Sequence, residues 1–284
     1  MNAIALNHIC KSFGSFAIQD LTLEVPEGTI CGLVGENGAG KSTTIRLLMN
    51  ALRPDSGTAA VLGVDTSSPE FLAVKEDIGV VVEEEHFPEV LSAAQVGKVM
   101  ANTYRRWDDA VYQSYLDRFQ LPRKKAFKDY SRGMRMKLAI AVALSHAPRL
   151  LVLDEATAGL DPIIRDEVLE IFNDFTRSDN HSILISSHIL SDLEKLCDYI
   201  AFLHQGQLLF CDEKDALLDG YGIFIGTAEQ ADSLAPDAVV ARESQGYGGV
   251  RCLVRRSAVP ATLTLERPTV EDIILFLVKG GKAV

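Results

Sequence analysis

A glycine-rich stretch of nine residues carries the clearest chemistry in the sequence. It reads Gly35-Glu36-Asn37-Gly38-Ala39-Gly40-Lys41-Ser42-Thr43 and fits the pattern G-x-x-x-x-G-K-[ST]. Glycines let the backbone curl so that successive N–H groups point at one anion, and a helix that begins at the end of the loop adds its positive N-terminus. Lys41 would add a point charge for the β- and γ-phosphates, and the Ser42 hydroxyl could ligate Mg²⁺. The stretch therefore predicts a site for a nucleoside triphosphate.

An acidic pair ends a short apolar run further along the chain. Leu150–Leu153 is typical of a strand buried on both faces, and Asp154 and Glu155 follow it directly. In α/β sheets, ligands bind at the carboxyl ends of the strands, so both carboxylates are expected beside the phosphate loop. We predict that Asp154 holds Mg²⁺ and that Glu155 orients or deprotonates the attacking water. Such acidic pairs are common at strand ends, and only the upstream phosphate loop makes this one specific.

Two weaker signals point to the same site. His188 follows the next buried strand, where it could donate a hydrogen bond to the γ-phosphate, although a lone histidine is more often structural. Ser131 is predicted to cap a helix, with Gly133 in its first turn. Free N–H groups and a hydroxyl at a positive helix end would make a second anion site. A plain helix cap would account for these two residues equally well.

The elements around these residues alternate between strands and helices. Strands are predicted at 4–13, 16–25, 29–34, 58–62, 78–82, 150–153, 182–185, 199–203 and 207–210. Helices are predicted over 44–50 and 131–146, and after capping residues at Ser92, Asp108, Asp161, Ser191 and Thr269. This alternation around a phosphate loop predicts an α/β core with a largely parallel sheet. From Ala216 onward the pattern is less regular, with a small β-α-β piece before the final helix.

The composition limits the classes of function. The chain has 284 residues and a net charge of −11, so nucleic acid is not the expected partner. Its five cysteines contain no C-x-x-C pair, which predicts reduced thiols as in the cytosol. The N-terminus is too polar for a signal peptide, and no run approaches the roughly 20 apolar residues that span a bilayer. Any role at a membrane is therefore expected to depend on a partner.

Five motifs together resemble the ATPase subunit of an ABC transporter, in both order and spacing. They are Gly35–Thr43, Ser131–Met134, Leu150–Glu155, Ala158–Pro162 and His188, and the resemblance covers residues 4–215. It implies a P-loop NTPase (RecA-like) α/β core with an antiparallel β subdomain and an inserted α-helical subdomain at about residues 86–148. The domains would then be an ATPase domain over 1–215 and a small α+β extension over 216–284.

The resemblance also implies ligands, partners and residue roles. ATP with Mg²⁺ would lie in a head-to-tail dimer, homodimeric or heterodimeric, between the phosphate loop of one subunit and the Ser131/Gly133 signature of the other. Asp161 would lie in the loop that crosses the interface, and Phe13 would stack on adenine unless it is a core phenylalanine. The other partner would be a separate integral-membrane permease. The chain would be cytoplasmic, on the inner face of the cell membrane.

Further stretches narrow the resemblance to export-type subunits of the multidrug, bacteriocin-immunity and acetoin-utilisation group. These stretches are Tyr104–Asp108, Phe119–Leu121, Ser131–Met134 and Leu265–Asp272. Several positions depart from the usual pattern. Tyr130, Arg132 and Met134 replace three residues of the L-S-G-G-Q signature, Ala156 replaces a proline after Glu155, and Ala158 replaces a common serine. Glu83 stands where a glutamine is usual; we predict that it also reaches Mg²⁺, unless it is only part of the solvated run Glu83–Glu85.

Other interpretations compete with a transporter subunit. A soluble ABC ATPase that acts on ribosomes or DNA usually has two cassettes or a long coiled coil, whereas this chain has one cassette and no heptad run. A nucleotide sensor with little turnover would not need Lys41, Asp154, Glu155 and His188 together. Between Lys98 and Lys137 there are eleven Lys or Arg and four Asp, which fits either a docking surface or a solvated helical face.

Overall fold

The computed structural model describes residues 1–82, 87–177 and 180–279, without the side chain of Tyr247. They form two compact units. The first unit is Met1–Ile189 with Tyr199–Cys211, and the second is Leu190–Asp198 with the described residues from Asp212 on.

The strands are β1 (Asn2–Phe13), β2 (Phe16–Pro26), β3 (Ile30–Val34), β4 (Ser56–Val61), β5 (Val64–Asp65), β6 (Ile78–Val81), β7 (Leu150–Asp154), β8 (Ser182–Ser187), β9 (Tyr199–His204), β10 (Gln207–Glu213), β11 (Tyr221–Thr227), β12 (Val239–Gln245) and β13 (Gly249–Arg255).

The α-helices are α1 (Lys41–Leu48), α2 (Phe71–Val74), α3 (Ala93–Thr103), α4 (Asp109–Arg118), α5 (Arg132–Leu144), α6 (Pro162–Thr176), α7 (Leu190–Leu196), α8 (Lys214–Gly220), α9 (Ala228–Asp232) and α10 (Val270–Lys279). Short 3₁₀ turns lie at Lys75–Asp77, Phe127–Asp129, Gly246–Gly248 and Arg256–Ala258. None of the helices in the described ranges is long and apolar enough to cross a membrane.

The central sheet of the first unit has the strand order β10-β9-β3-β8-β7-β6. β3 runs parallel to β8 and β9, and β7 runs parallel to β6 and β8. Every residue of β3, β7 and β8 is buried, as expected for strands covered on both faces. Parallel strands end at the same edge, so the phosphate loop, Asp154 and His188 all leave the sheet on one side. The predicted α/β P-loop fold is confirmed.

A second sheet in the same unit is antiparallel, with the order β2-β1-β4-β5. Its strands alternate between buried and exposed residues, and the buried residues join those of the central sheet in one apolar core. This sheet is the antiparallel subdomain that the resemblance implies.

Helices α3, α4 and α5 lie between β6 and β7 in the chain and form the inserted helical segment. Ser92 begins α3 with a capping box to Gln95, as predicted, and Asp108 caps α4 by accepting the Val111 N–H at 3.0 Å. Tyr112 on α4 is fully buried, and its hydroxyl donates to the Ala93 carbonyl at 2.8 Å. These contacts hold α3 against α4.

Some predicted helix boundaries are wrong by a few residues. α1 begins at Lys41 rather than Thr44, directly after the left-handed Gly40 (φ 113°), so the loop passes into the helix without a spacer. α5 ends at Leu144 rather than His146, because the Ser145 hydroxyl donates to the Ala141 carbonyl and Ala147 turns left-handed (φ 52°). α7 begins at Leu190, one residue before the predicted cap at Ser191.

The second unit contains a three-stranded antiparallel sheet in the order β11-β13-β12. Its apolar core includes Phe224, Ala231 and Cys252. The predicted start of the last helix is confirmed: Thr269 precedes α10, and its hydroxyl accepts the Asp272 N–H at 3.0 Å. Asp272 in turn accepts hydrogen bonds from Thr269 and from Arg251, the latter at 2.8 Å. The predicted domain boundary at residue 215 stays a prediction.

Candidate functional site

The phosphate loop joins β3 to α1 with no side-chain cap at the helix start. Gly38 and Gly40 have positive φ values of 83° and 113°, which only glycine adopts without strain. A Cβ atom on Gly35 would lie 2.4 Å from the Leu203 carbonyl oxygen, so the loop also passes too close to β9 for a side chain. The first N–H groups of α1 therefore point into the loop without a protein acceptor from a cap, as an anion site requires.

A cavity of about 570 Å³ opens in front of this loop. It is lined by Phe16, Asn37, Gly38, Gly40, Lys41, Ser42, Thr43, Glu155 and His188. Gly35 and Ala39 instead support the loop. The Gly35 carbonyl accepts a hydrogen bond from the Lys41 ammonium, and the Ala39 carbonyl accepts one from the Gly206 N–H. The fold thus brings six of the twelve predicted nucleotide-binding residues, together with Glu155 and His188, around one space.

Lys41 is buried and is engaged by groups of its own chain. Its ammonium donates to the Gly35 carbonyl at 2.7 Å and to the Glu36 carbonyl at 3.3 Å. It also lies 3.3 Å from Glu155 Oε1. Burying such an ion pair costs desolvation energy about as large as the attraction between the charges, so the pair contributes little net stability. A phosphate that enters the cavity can therefore replace the carboxylate as the partner of Lys41 at small cost.

Glu155 is only 6 % exposed and lies between two cationic or protonatable groups. Its Oε2 is 2.7 Å from His188 Nδ1, and its Oε1 faces Lys41 without hydrogen-bond geometry. Its backbone is left-handed (φ 52°), a conformation that costs a non-glycine residue about 1 kcal/mol. Strain at a residue in a cavity, paired with His188, is typical of a functional position.

The Ser186 hydroxyl joins the two acidic residues, and the sequence prediction missed it. It donates to Asp154 Oδ1 at 2.5 Å and accepts the Glu155 N–H at 3.1 Å. Ser186 is fully buried and pairs with Asp154 in the parallel register of β7 and β8. Its place two residues before His188, at the end of a buried strand, is the signal that could have revealed it.

The oxygen donors near the loop suit magnesium. Ser42 offers a hydroxyl on the cavity wall, and Asp154 offers a carboxylate that is 6 % exposed. Mg²⁺ usually binds one or two protein oxygens together with phosphates and water, so this small donor set fits it. Within the described ranges, no group of three or more His, Cys, Asp or Glu could hold a metal by itself. Glu83 lies outside the described residues, and its predicted role stays a prediction.

The predicted signature residues lie apart from this cavity, next to the loop that contains Asp161. Ser131 caps α5 by accepting the Met134 N–H at 3.3 Å, and Asp161 caps α6 by accepting the Ile164 N–H at 3.1 Å. A Cβ atom on Gly133 would lie 3.5 Å from the Ile164 side chain, so the two helix starts are neighbours. Among the described residues that line the cavity, none comes from these two caps. The chain therefore presents the phosphate-loop cavity and the predicted signature on two separate surfaces, and anion binding at the signature stays a prediction.

Arg132, which departs from the usual signature, lies against the loop before Asp161. A Cβ atom on Gly159 would be 2.7 Å from an Nη of Arg132, and Gly159 itself is left-handed (φ 70°). The Arg132 side chain therefore occupies the space that a side chain at position 159 would need.

The two aromatic residues at the β1–β2 turn have different surroundings. Phe13 ends β1, is 42 % exposed, and has the Lys11 ammonium 5.7 Å from its ring centroid. Phe16 begins β2, pairs with Phe13 across the turn, and lines the cavity. Stacking of Phe13 on adenine stays a prediction, and Phe16 is an aromatic cavity residue that the sequence prediction missed.

Comparison with known proteins identifies the family. A family model described as ABC transporter matches residues 18–158. The lantibiotic transport ATP-binding protein SrtF of Streptococcus pyogenes is 34% identical over 215 residues, covering 75% of this chain and 91% of SrtF. The bacitracin transport ATP-binding protein BcrA of Bacillus licheniformis is 36% identical, covering 72% of this chain and 68% of BcrA.

A solved structure agrees with these relatives. Described as the ATP-binding subunit of an ABC transporter, it is 26% identical and superposes with a TM-score of 0.68 over 76% of this chain and 91% of its own. The phosphate loop, the acidic pair at the end of β7 and the histidine after β8 are thus placed in a fold shared with such subunits. The chain belongs to the ABC transporter family, in which it is an ATP-binding subunit with ATPase chemistry.

Proposed function

We propose that this chain hydrolyses Mg-ATP in a head-to-tail dimer and thereby drives export through a separate membrane permease. The observation that carries the proposal is the arrangement of Lys41, Glu155 and His188 around the phosphate-loop cavity. A lysine for phosphate, a buried carboxylate for water and a histidine that orients the carboxylate are the parts that hydrolysis of a phosphoanhydride needs.

Lys41 and Glu155 change partners when ATP binds. Without nucleotide, the Lys41 ammonium lies 3.3 Å from Glu155 Oε1 and competes with water for that oxygen. The γ-phosphate draws Lys41 away and frees Oε1 to accept a proton from, or orient, a water molecule. His188 remains hydrogen-bonded to Glu155 Oε2. An imidazole that donates through Nδ1 to Glu155 can also donate through Nε2 to the γ-phosphate only when it is protonated.

Magnesium would be held by the Ser42 hydroxyl and, through water, by the Asp154 carboxylate. Its charge would neutralise the β- and γ-phosphates when it is bound. The protein contributes orientation: the Ser186 hydroxyl donates to Asp154 Oδ1, and Oδ2 would be the oxygen that binds the metal or its water.

A dimer would account for the separation between the phosphate-loop cavity and the surface that contains Ser131 and Gly133. The cavity would receive the triphosphate from one side, while Ser131 and Gly133 lie at the N-terminus of α5, where the helix dipole favours an anion. A second copy, or a related subunit, in head-to-tail orientation would place its Ser131 surface over this cavity. Asp161, beside that surface, would then lie at the interface.

The likeness to SrtF and BcrA supports coupling to a permease, and we propose that the chain works on the cytoplasmic side of the membrane, where ATP is available. The helical segment is the proposed docking surface. Arg123 is not a good probe of it, because its guanidinium is held by Asp117 at 2.7 Å and by Gln113 at 2.9 Å. Lys124 and Lys125 are exposed on the same segment and are better probes.

The test is Glu155→Gln, with Glu170→Gln as a matched control. Glu170 is an exposed glutamate on α6, away from the cavity wall, so the same chemical change there should have no effect. Glu155→Gln should bind ATP, lose about 10²- to 10⁴-fold in turnover, and elute as a dimer in Mg-ATP. A variant that hydrolyses normally and stays monomeric would refute the roles of Glu155 and of the dimer.

Purification from native membranes tests the coupling. A polytopic membrane protein that elutes with the chain in stoichiometric amount is the expected result. Ribosomes or DNA in its place would favour a soluble ABC ATPase.

A further inference from the structure

The helix that follows His188 is part of the second unit by its packing. α7 begins at Leu190, two residues after His188, and Leu193 and Cys197 are buried there. α7 packs against α10 of the same unit. The chain therefore passes from the first unit to the second unit directly after a residue of the ATP site.

Two side chains tie α7 to the rest of the second unit. The Lys214 ammonium, at the start of α8, donates to the Glu194 carbonyl at 2.9 Å. Glu194 Oε2 accepts the N–H of Val270, the first residue of α10, at 3.4 Å. The Lys214 N–H also donates to the Asp198 carbonyl at 2.7 Å, just beyond the end of α7. Lys214 thus holds the last turn of α7 and the residues after it in one position.

His188 stands in the chain between β8 of the first unit and α7 of the second unit. On its N-terminal side, Ser187 ends β8 and pairs with Val34 of β3 in the central sheet. The Ser187 hydroxyl also accepts the Ile189 N–H at 2.9 Å, which fixes the turn that leaves the strand. On its C-terminal side only Ile189 separates His188 from α7. A displacement of α7 must therefore be absorbed within His188 and Ile189.

We infer that the second unit sets the position of His188 through α7, and that Lys214 is a positioning residue for ATP hydrolysis. The inference rests on the proposed function, because it gives His188 a role in that reaction. The contact at stake is the 2.7 Å approach of His188 Nδ1 to Glu155 Oε2. Hydrogen bonds weaken steeply with distance and angle, so a small shift of α7 alters how Glu155 is held. A signal received by the second unit would reach the reaction by the same route.

The experiment compares Lys214→Met with Lys214→Arg in the full chain. Met keeps the apolar stem and removes the donor, whereas Arg keeps a donor for the Glu194 carbonyl. We expect Lys214→Met to lower kcat by about three- to tenfold with little change in the KM for ATP, since one hydrogen bond is lost. Lys214→Arg should restore most of the rate. If Lys214 only stabilised the fold, Lys214→Met would instead lower the amount of folded protein and leave kcat per active site unchanged.

The matched control is Arg242→Met, which removes another hydrogen-bonding cation of the second unit. Arg242 pairs with Asp232 at 2.6 Å, and neither residue belongs to α7. It should leave kcat at the wild-type value even if it lowers the melting temperature. Equal kcat values for Lys214→Met, Arg242→Met and wild type would overturn the inference.

A double substitution shows whether Lys214 acts through His188. In the His188→Ala background, Lys214→Met should have no further effect on kcat, because the residue that it positions is gone. If the two substitutions instead lower kcat by independent factors that multiply, the inference about Lys214 is overturned and the proposed function is not affected. If His188→Ala hydrolyses ATP like the wild type, the role of His188 in the proposed function is refuted, and the inference falls with it.

Discussion

The Ser186 hydroxyl holds both acidic residues of the site, so we expect Ser186→Ala to reduce stability and hydrolysis together. The substitution leaves Asp154 Oδ1 without its donor at 2.5 Å in a fully buried position. Losing a hydrogen bond to a charged group costs about 1.5–3 kcal/mol. For a unit of this size, that corresponds to a fall in melting temperature of roughly 3–12 °C. The loss of the hydroxyl costs less free energy at the Glu155 N–H, because this N–H also donates to the Ser186 carbonyl at 3.1 Å.

The expected effect on the reaction follows from the same contact. A residue that orients a metal-binding carboxylate typically contributes about 10- to 100-fold in metal affinity or activity. The assay is the steady-state ATPase rate at saturating ATP, titrated with Mg²⁺. Ser186→Ala should need more Mg²⁺ for half-maximal rate, and kcat should stay low at saturation, since Glu155 is also less well held.

Ser182→Ala is the control, because Ser182 lies on the same strand and is equally buried. Its hydroxyl accepts the Gly28 N–H at 2.9 Å, at the end of β8 away from the cavity. We expect it to lower the melting temperature by a smaller amount and to leave the Mg²⁺ dependence unchanged. If the two variants show the same Mg²⁺ dependence, the hydroxyl of Ser186 does not act on Asp154 in the way that we derive from the structure.

Three further predictions test other parts of the chain. Lys124→Glu with Lys125→Glu should weaken co-purification with a permease and leave the ATPase rate of the isolated subunit unchanged; lost hydrolysis with intact assembly would contradict the docking surface. Gly159→Ala should lower stability by about 1–2 kcal/mol for its left-handed backbone, and adding Arg132→Gly should recover only the part due to the clash, as thermal melts in the two backgrounds would show. Burial raises the pKa of the Asp272 carboxyl, but its hydrogen bonds from Thr269 and Arg251 outweigh burial and hold the pKa below 3.8. Its contribution to stability is therefore present above about pH 4 and is lost as the pH falls through the lowered pKa. Asp272→Asn should unfold more easily than the wild type at pH 7 and should match it in strong acid.

The parts of the site that could be predicted from sequence are those fixed by consecutive residues. The phosphate loop is one, because its glycines, Lys41 and the strand before it form a single local pattern. The fold class is another, since short apolar runs such as Leu150–Leu153, alternating with helical patterns, are typical of strands buried on both faces.

The parts that could not be predicted depend on register between distant segments. Ser186 reaches Asp154 because β7 and β8 pair in the register that sets these residues side by side, and no local pattern fixes that register. The turn after β7 is similar. Ala156 stands where a proline is usual, and Glu155 makes the turn itself, with φ 52° and with its carbonyl accepting the Ala158 N–H at 3.0 Å.

The membership of α7 in the second unit also has a consequence for how the chain is made. The α7 segment emerges from the ribosome before α10, on which it packs, has been synthesised. At roughly 5–20 residues per second, α7 waits several seconds for that partner. The last strand of the central sheet, β10, ends at Glu213, so the nascent chain can assemble its phosphate loop before α10 has been made. A chain truncated after Glu213 would therefore contain every strand of the central sheet, but α7 would lack α10, the helix on which it packs.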